Sequence, residues 1–230
     1  MERTVKNEGL ILDGTKILYH RERIDAWLRG ERIAPITMDI ALTRACNYRC
    51  EYCYATLQEN PRKRITKDII FSFLDDAAEI GVKAISLVSD GESSFSPIYI
   101  DTILTGSENG LSMAMGTNGY LCNRDSLEQI LPHMDYLRFN ISAGESKRYA
   151  EIHGVPESYF YTVCQNIRDA VEIKQRNNLE VTIGLQMVLM PQYQDQIIPL
   201  AKLGKELNVD YLVIKHCSDD EYGPLGIDYN

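Results

Sequence analysis

The sequence has no long apolar run. No stretch approaches the ~20 apolar residues that a transmembrane helix needs, and the first residues are polar rather than the apolar centre of a secretion signal. We therefore predict a cytoplasmic protein with no membrane partner. In a reducing compartment its six cysteines are expected to be metal ligands, catalytic groups or buried thiols rather than disulfides.

Basic residues are also in deficit. The 230-residue chain has 24 Lys and Arg against 33 Asp and Glu, a formal net charge of −9, which argues against a broad nucleic-acid surface. Hydrophobic residues make up 44% and charged residues 25% of the chain, a globular composition that excludes a disordered or fibrous protein. The sequence also lacks the Gly-x-Gly-x-x-Gly fingerprint of a nicotinamide or flavin site.

The sequence does contain a regular alternation of apolar, β-favouring runs and helical patterns. This alternation is preceded by an Asp-Gly hairpin signal in Gly9–Leu18 and by a charged helix over His20–Gly30. Strands are predicted over Ile36–Thr43, Ala84–Val88, Ser112–Thr117, Tyr136–Ser142, Val181–Met190 and Tyr211–His216. Helices are predicted from Thr66 to Gly81, weakly before the third strand, near Ser126–Leu131, over Glu157–Lys174 and over Gln194–Leu207, the last kinked or broken by Pro199.

This alternation predicts an α/β fold with a parallel sheet and right-handed crossovers. Two architectures fit it, an open, partial (β/α)6 TIM-like barrel and a doubly wound sheet, and periodicity alone does not separate them. We predict an N-terminal hairpin and helix extension over residues 1–35 and a barrel over residues 36–218. Residues 219–230 are interpreted as a truncated C-terminal tail.

The strongest motif is Cys46-Asn47-Tyr48-Arg49-Cys50-Glu51-Tyr52-Cys53, directly after the first predicted strand. Three thiolates so close in sequence can converge on one metal centre. A closed zinc site needs four ligands, and no fourth cysteine or histidine lies nearby in sequence. An iron–sulfur cluster held by three cysteines keeps one iron open for a cofactor or substrate. The alternative is a zinc knuckle completed by a distant His or Asp.

The spacing Cys-x3-Cys-x2-Cys, with the aromatic Tyr52 before the third cysteine, resembles the signature of the radical S-adenosylmethionine (radical SAM) superfamily. The resemblance extends over about Ile36–Ser218, and its motif style is similar to that of the molybdenum-cofactor-synthesis and peptide-maturation enzymes. It implies a [4Fe-4S] cluster on Cys46, Cys50 and Cys53, with S-adenosylmethionine on the open iron. Reductive cleavage would give a 5′-deoxyadenosyl radical that abstracts hydrogen from substrate. A low-potential electron donor, flavodoxin- or ferredoxin-like, is also implied.

The same resemblance implies cofactor contacts at the ends of later strands, where α/β folds bind ligands. Family members usually have Gly-Gly-Glu after the second strand, whereas this chain has Asp90-Gly91-Glu92 and so keeps Gly91 and Glu92. The other expected cofactor contacts are Tyr52, Thr117, Asn118, Ser142 and Gln186. For Gln186, in an apolar run, a hydrogen-bonded core glutamine is the alternative.

Cys217 follows the sixth predicted strand, and several roles for it stay open. It is a candidate hydrogen-atom donor to a substrate radical, a ligand of an auxiliary cluster, a thiolate activated by Lys215, or a buried thiol. Cys122 and Cys164 are predicted to be structural.

The predicted function is therefore that of a radical SAM enzyme acting on a peptide, sugar or small-metabolite substrate, with the reaction subclass undetermined. The competing hypothesis is a non-catalytic zinc- or iron-binding module that mediates protein interaction. The metal content of protein purified without oxygen distinguishes the two.

Overall fold

In the computed structural model, which describes residues 14–56, 64–88 and 90–217, six parallel strands form one sheet in the order of their sequence. The strands are β1 (Thr37–Asp39), β2 (Ala84–Leu87), β3 (Ser112–Thr117), β4 (Tyr136–Asn140), β5 (Thr182–Leu189) and β6 (Tyr211–His216). A doubly wound sheet needs a reversal of strand order, and this order has none. With β1 and β6 as its edges the sheet is open, so the partial barrel is confirmed.

The α-helices among the described residues are α1 (Arg21–Leu28), α2 (Lys67–Glu79), α3 (Tyr99–Glu108), α4 (Arg124–Ile130), α5 (Ser146–His153), α6 (Ser158–Arg176) and α7 (Ile197–Glu206). In α6 the apolar residues recur at helical spacing, and Phe160, Val163, Ile167 and Val171 are buried as predicted. No described helix combines the length and apolar character that a membrane crossing requires.

The two faces of the sheet differ in polarity because side chains alternate along each strand. One face is apolar and fully buried; it includes Leu87, Met115, Phe139 and Leu185, and Gly106 of α3 and Gly204 of α7 lie against this layer. The other face carries small and polar side chains, among them Ser86, Ala114, Arg138, Asn140 and Gln186, which the strand register aligns. We call this second face the concave face, since in a barrel it lines the axis.

Two strands end two or more residues earlier than predicted, because the residues that follow them make other hydrogen bonds. β1 stops at Asp39, and the segment beyond it pairs with the chain before α2: Thr43 bridges Arg64 in antiparallel fashion, and the Ile65 N–H donates to the Leu42 carbonyl at 3.1 Å. β4 stops at Asn140, and the N–H of Ser142 donates to a histidine side chain.

The chain divides into two compact units, Met1–Pro35 and Ile36–Asn230. In the first unit the predicted hairpin is wrong where it is described: Gly14–His20 is a 3-10 helix, whose hydrogen bonds close locally instead of across strands. The other half of that hairpin, residues 9–13, lies outside the described residues, as do residues 219–230. The charged helix is confirmed as α1, and the chain leaves it through Gly30 at φ +79°.

Two further differences concern helices. The sequence pattern was not interpreted as a helix over α5, which the structure forms from Ser146 to His153. Pro199 does not kink its helix, because α7 begins at Ile197 after a 3-10 segment over Pro191–Gln196. Proline therefore occupies the first turn, where its missing N–H costs no helical hydrogen bond.

The approach of α7 to the loop after β4 gives a stability prediction. A Cβ on Gly144 would lie 2.2 Å from the backbone carbon of Pro199, so we expect Gly144→Ala to destabilise the fold by about 1–3 kcal/mol. Gly204→Ala on α7 is the matched control, because its Cβ would make only ordinary contacts, the nearest at 3.4 Å. It should stabilise the helix by about 0.5–1 kcal/mol. Denaturant unfolding measures both, and equal effects would contradict this packing.

Candidate functional site

The cysteine loop follows β1, and its three thiols influence one another electrostatically. The Tyr48 N–H donates to the Cys46 sulfur at 3.3 Å, and the Cys53 N–H donates to the Cys50 carbonyl at 3.1 Å. Burial raises the pKa of the Cys50 thiol, and the neighbouring Cys53 and Cys46 raise that pKa further. Mutual repulsion of this kind acts between thiolates that lie within electrostatic range of one another.

The C-terminal end of α5 holds this loop through its backbone. The N–H groups of Arg49 and Glu51, on either side of Cys50, donate to the carbonyls of His153 and Ile152 at 3.1 and 3.0 Å. These carbonyls belong to the last turn of a helix and have no partner within it. The helix then ends at Gly154 with φ +62°, where a Cβ would lie 2.7 Å from the Arg49 carbonyl oxygen.

The side chain of His153 completes the contact. Its Nδ1 lies 3.1 Å from the Cys50 sulfur, and its Nε2 accepts the N–H of Ser142 at 3.2 Å. The imidazole is fully buried, and that burial lowers its pKa to about 3. The ring is therefore neutral at physiological pH.

The loop after β2 packs its backbone directly on the loop after β1. A Cβ on Gly91 would lie 2.2 Å from the Thr43 carbonyl oxygen, and Gly91 has φ +79°. Asp90, which replaces the glycine usual in the resembling family, forms an ion pair with Arg44 at 3.0 Å. The departure at position 90 thus adds a side-chain link between the same two loops.

Glu92 is buried, and its carboxylate is occupied by internal hydrogen bonds. One oxygen accepts from the Ser94 N–H at 3.0 Å, the Ser94 hydroxyl at 2.7 Å and the Thr117 hydroxyl at 2.7 Å. The other oxygen accepts the Asn118 N–H at 2.7 Å. Glu92 therefore fixes the end of β3 to the loop after β2, and a direct contact between its carboxylate and a cofactor stays a prediction.

The remaining predicted contacts fall into two groups on the same edge of the sheet. Asn118 faces the cysteine loop: its Nδ2 donates to Asn47 Oδ1 at 2.8 Å and lies 4.0 Å from the Cys46 sulfur. Ser142 joins the loop to β5, because its hydroxyl donates to the Tyr52 hydroxyl at 3.3 Å and accepts the Val188 N–H at 3.2 Å. Burial raises the pKa of Tyr52 well above its usual range, so this phenol stays protonated.

Gln186 lies on the concave face, where its Nε2 donates to Asn140 Oδ1 at 3.2 Å. Its Oε1 is buried and has no hydrogen-bond partner among the described residues, and the same is true of Asn47 Nδ2 and Arg138 Nε. An unsatisfied buried polar atom costs about 1–3 kcal/mol, so a polar ligand that supplied partners at these three atoms would recover that energy.

The other cysteines lie away from the loop in sequence, and all three are buried. Cys122 follows β3, and its sulfur lies 3.6 Å from the Thr117 hydroxyl. Cys164 lies on α6. Cys217 follows β6, where its N–H donates to the Leu189 carbonyl at 2.9 Å and so continues the β5–β6 pairing.

The residues of the cysteine loop suit the two predicted metal centres, a zinc ion and an iron–sulfur cluster, to different degrees. Among the described residues, no three His, Cys, Asp or Glu side chains are placed to hold a single metal ion. An iron–sulfur cluster makes a different demand, since each cysteine binds a different iron atom, and hydrogen bonds to the sulfurs adjust its potential. The Tyr48 N–H and His153 supply contacts of that kind to Cys46 and Cys50. The residues fit such a cluster.

His153 was missed by the sequence interpretation. Helix α5 carries a readable signal, because Tyr149, Ile152 and His153 recur at the spacing of one buried helical face and Gly154 ends the helix. The contact between His153 and Cys50 spans 103 residues, and only the fold creates it.

The hydrogen bonds of Glu92 give the second prediction. In Glu92→Gln an NH2 group replaces one of the two carboxylate oxygens. Whichever oxygen it replaces, this donor would face another donor, the backbone N–H of Ser94 or that of Asn118. We expect a loss of about 1–3 kcal/mol of unfolding free energy, measured by denaturant titration. Glu79→Gln, at an exposed end of α2, is the control. Equal stability of the two variants would show that the carboxylate does not hold β3.

Known proteins resemble both the sequence and the fold. The family profile described as "Radical SAM superfamily" matches residues 40–203. An S-adenosylmethionine-dependent nucleotide dehydratase of Pseudoalteromonas ulvae is 30% identical over 129 residues, 49% of this chain and 42% of the dehydratase. An AdoMet-dependent heme synthase of Methanosarcina barkeri is 27% identical over 176 residues, 76% of this chain and 48% of the synthase.

Among solved structures, Streptococcus suis SuiB bound to S-adenosylmethionine has a TM-score of 0.71 at 18% identity, and the match covers 93% of this chain and 48% of SuiB. SuiB bound to its precursor peptide SuiA gives a TM-score of 0.69. The chain spans about half the length of the curated relatives it matches. Because the family profile matches well over half of its residues, this chain belongs to the radical SAM superfamily and is an enzyme of that superfamily.

Proposed function

We propose that Cys46, Cys50 and Cys53 hold a [4Fe-4S] cluster that binds S-adenosylmethionine. One observation supports this most: the cysteine loop lies at the carboxyl edge of the sheet, in contact with the ends of β3 and β4 through Asn118 and His153. That edge is where parallel α/β folds bind ligands. When bound, the cluster supplies the electron that cleaves the sulfonium of S-adenosylmethionine.

The residues of this chain have distinct tasks in the proposal. The three cysteines anchor the cluster, and the packed loops around Gly91 and Glu92 fix its position relative to β3. Two buried polar atoms that have no hydrogen-bond partner among the described residues, Asn47 Nδ2 and Gln186 Oε1, are suited to polar groups of the cofactor. Tyr52 and Ser142 form one wall between the loop and β5, which limits the access of water to a radical.

The substrate is proposed to be a peptide, a sugar or a small metabolite that enters the concave face. That face carries the polar side chains of Arg138 and Asn140 together with the small side chains of Ser86 and Ala114. The names of the relatives, a nucleotide dehydratase and a protein with a precursor peptide, are in keeping with that range. The electron donor is proposed to be a flavodoxin- or ferredoxin-like protein.

Cluster and chemistry can be tested together. Wild-type protein reconstituted without oxygen should bind about four irons per chain and release 5′-deoxyadenosine after addition of dithionite and S-adenosylmethionine. Cys50→Ala should abolish both, whereas Cys164→Ala, a buried thiol on α6, should keep both. Iron analysis and chromatography of the nucleoside provide the measurements. A colourless wild-type protein that binds zinc and gives no nucleoside would contradict the proposal and favour an interaction module.

We further propose Cys217 as a hydrogen-atom donor to a substrate radical. Its N–H pairing with Leu189 continues β6, so alternation puts Cys217 on the same side as Val213 and Lys215, and the β5–β6 register aligns these two residues with Gln186 and Val188. Cys217→Ala should keep the cleavage of S-adenosylmethionine but change the amount of solvent deuterium in the product. Mass spectrometry of turnover in D2O measures this. Full turnover with unchanged deuterium content would exclude the role, and Cys122→Ala is the matched control.

A further inference from the structure

We propose that His153 is a positioning residue that donates a hydrogen bond from Nδ1 to the sulfur of Cys50 and thereby raises the reduction potential of the cluster. The inference rests on the proposed function, because it assigns Cys50 as a cluster ligand. It concerns a histidine outside the cysteine motif, on a helix that the sequence interpretation did not predict.

The direction of the hydrogen bond follows from the second nitrogen of the ring. The Ser142 N–H is a backbone donor and lies 3.2 Å from Nε2, so Nε2 must accept and carries no proton. A neutral imidazole has one N–H, which is therefore on Nδ1. That nitrogen lies 3.1 Å from the Cys50 sulfur, and its proton points at the thiolate when Cys50 binds iron.

The ring has little freedom to turn away. Tyr48, Tyr52 and Tyr149 surround it with ring centroids at 5.7, 6.0 and 4.4 Å. The backbone on both sides of Cys50 is bonded to the carbonyls of Ile152 and His153. The C-terminal end of α5 therefore positions both the His153 ring and the backbone around Cys50. The fold fixes the contact between Nδ1 and the sulfur.

A hydrogen bond to a ligand sulfur acts on the two oxidation states unequally. Reduction adds negative charge to the cluster and its thiolates, and a donor stabilises the more negative state more. Removing the donor should therefore make the cluster harder to reduce. In the proposed function the electron comes from a low-potential partner protein. By raising the reduction potential of the cluster, His153 would bring that potential closer to the potential of the donor.

Two variants separate the hydrogen bond from the packing of the ring. His153→Phe keeps an aromatic ring but has no N–H, and we expect the reduction equilibrium to fall about tenfold, a shift of about 59 mV to lower potential for one electron. His153→Asn places its amide nitrogen at the position of Nδ1 and should restore most of that shift. Tyr149→Phe is the control, because it removes a buried hydroxyl beside the ring and leaves the N–H to sulfur contact intact. Potentials are measured by electron paramagnetic resonance during redox titration.

A second measurement needs no variant. Wild-type protein labelled only with 15N-histidine contains four histidines, and pulsed electron paramagnetic resonance of the reduced cluster should detect one weakly coupled 15N. The absence of any such coupling would overturn the inference, as would equal potentials for wild type and His153→Phe. Both results leave the proposed function standing if the protein binds iron and cleaves S-adenosylmethionine. Failure of wild-type protein to form a cluster would instead remove the proposed function.

Discussion

The site depends on one constraint, the need of an irregular cysteine loop to find partners for its backbone. Backbone N–H groups outside helices and strands have no partner within a regular element and need one elsewhere, and two in this loop, at Arg49 and Glu51, use the free carbonyls at the end of α5. The helix end and the loop thus satisfy each other. As a result Cys50 is fixed between two anchored residues, and its sulfur meets His153.

A buried carboxylate holds the loops after β1, β2 and β3 together. Glu92 accepts hydrogen bonds from the loop after β2 and from both the side chain and the backbone at the end of β3. Its own N–H donates to the Ala45 carbonyl at 3.0 Å, just before the cysteine motif. Three loops are therefore bonded to one another through protein groups alone. Such preorganisation lowers the entropy that a cofactor must lose on binding.

The sequence allowed the sheet to be predicted better than the site. β3 and β6 have the predicted bounds because their apolar runs are bordered by turn residues, and the strand-end positions Thr117, Asn118 and Ser142 do lie at one edge. The link from His153 to Cys50 could not be predicted, since it depends on two segments that meet only after folding. The predicted hairpin failed over Gly14–Leu18 because a local 3-10 helix satisfies the same backbone.

The altered glycine motif shows which of its positions the fold constrains. Position 91 must be glycine, because φ is +79° and a Cβ would strike the Thr43 carbonyl oxygen at 2.2 Å. Position 92 needs a carboxylate, because only an acceptor-only group suits four donors. Position 90 differs from these two, because its side chain forms an ion pair with Arg44 at 3.0 Å. An aspartate there adds an ion pair between the loops after β1 and β2, next to the glycine and the carboxylate that the loop requires.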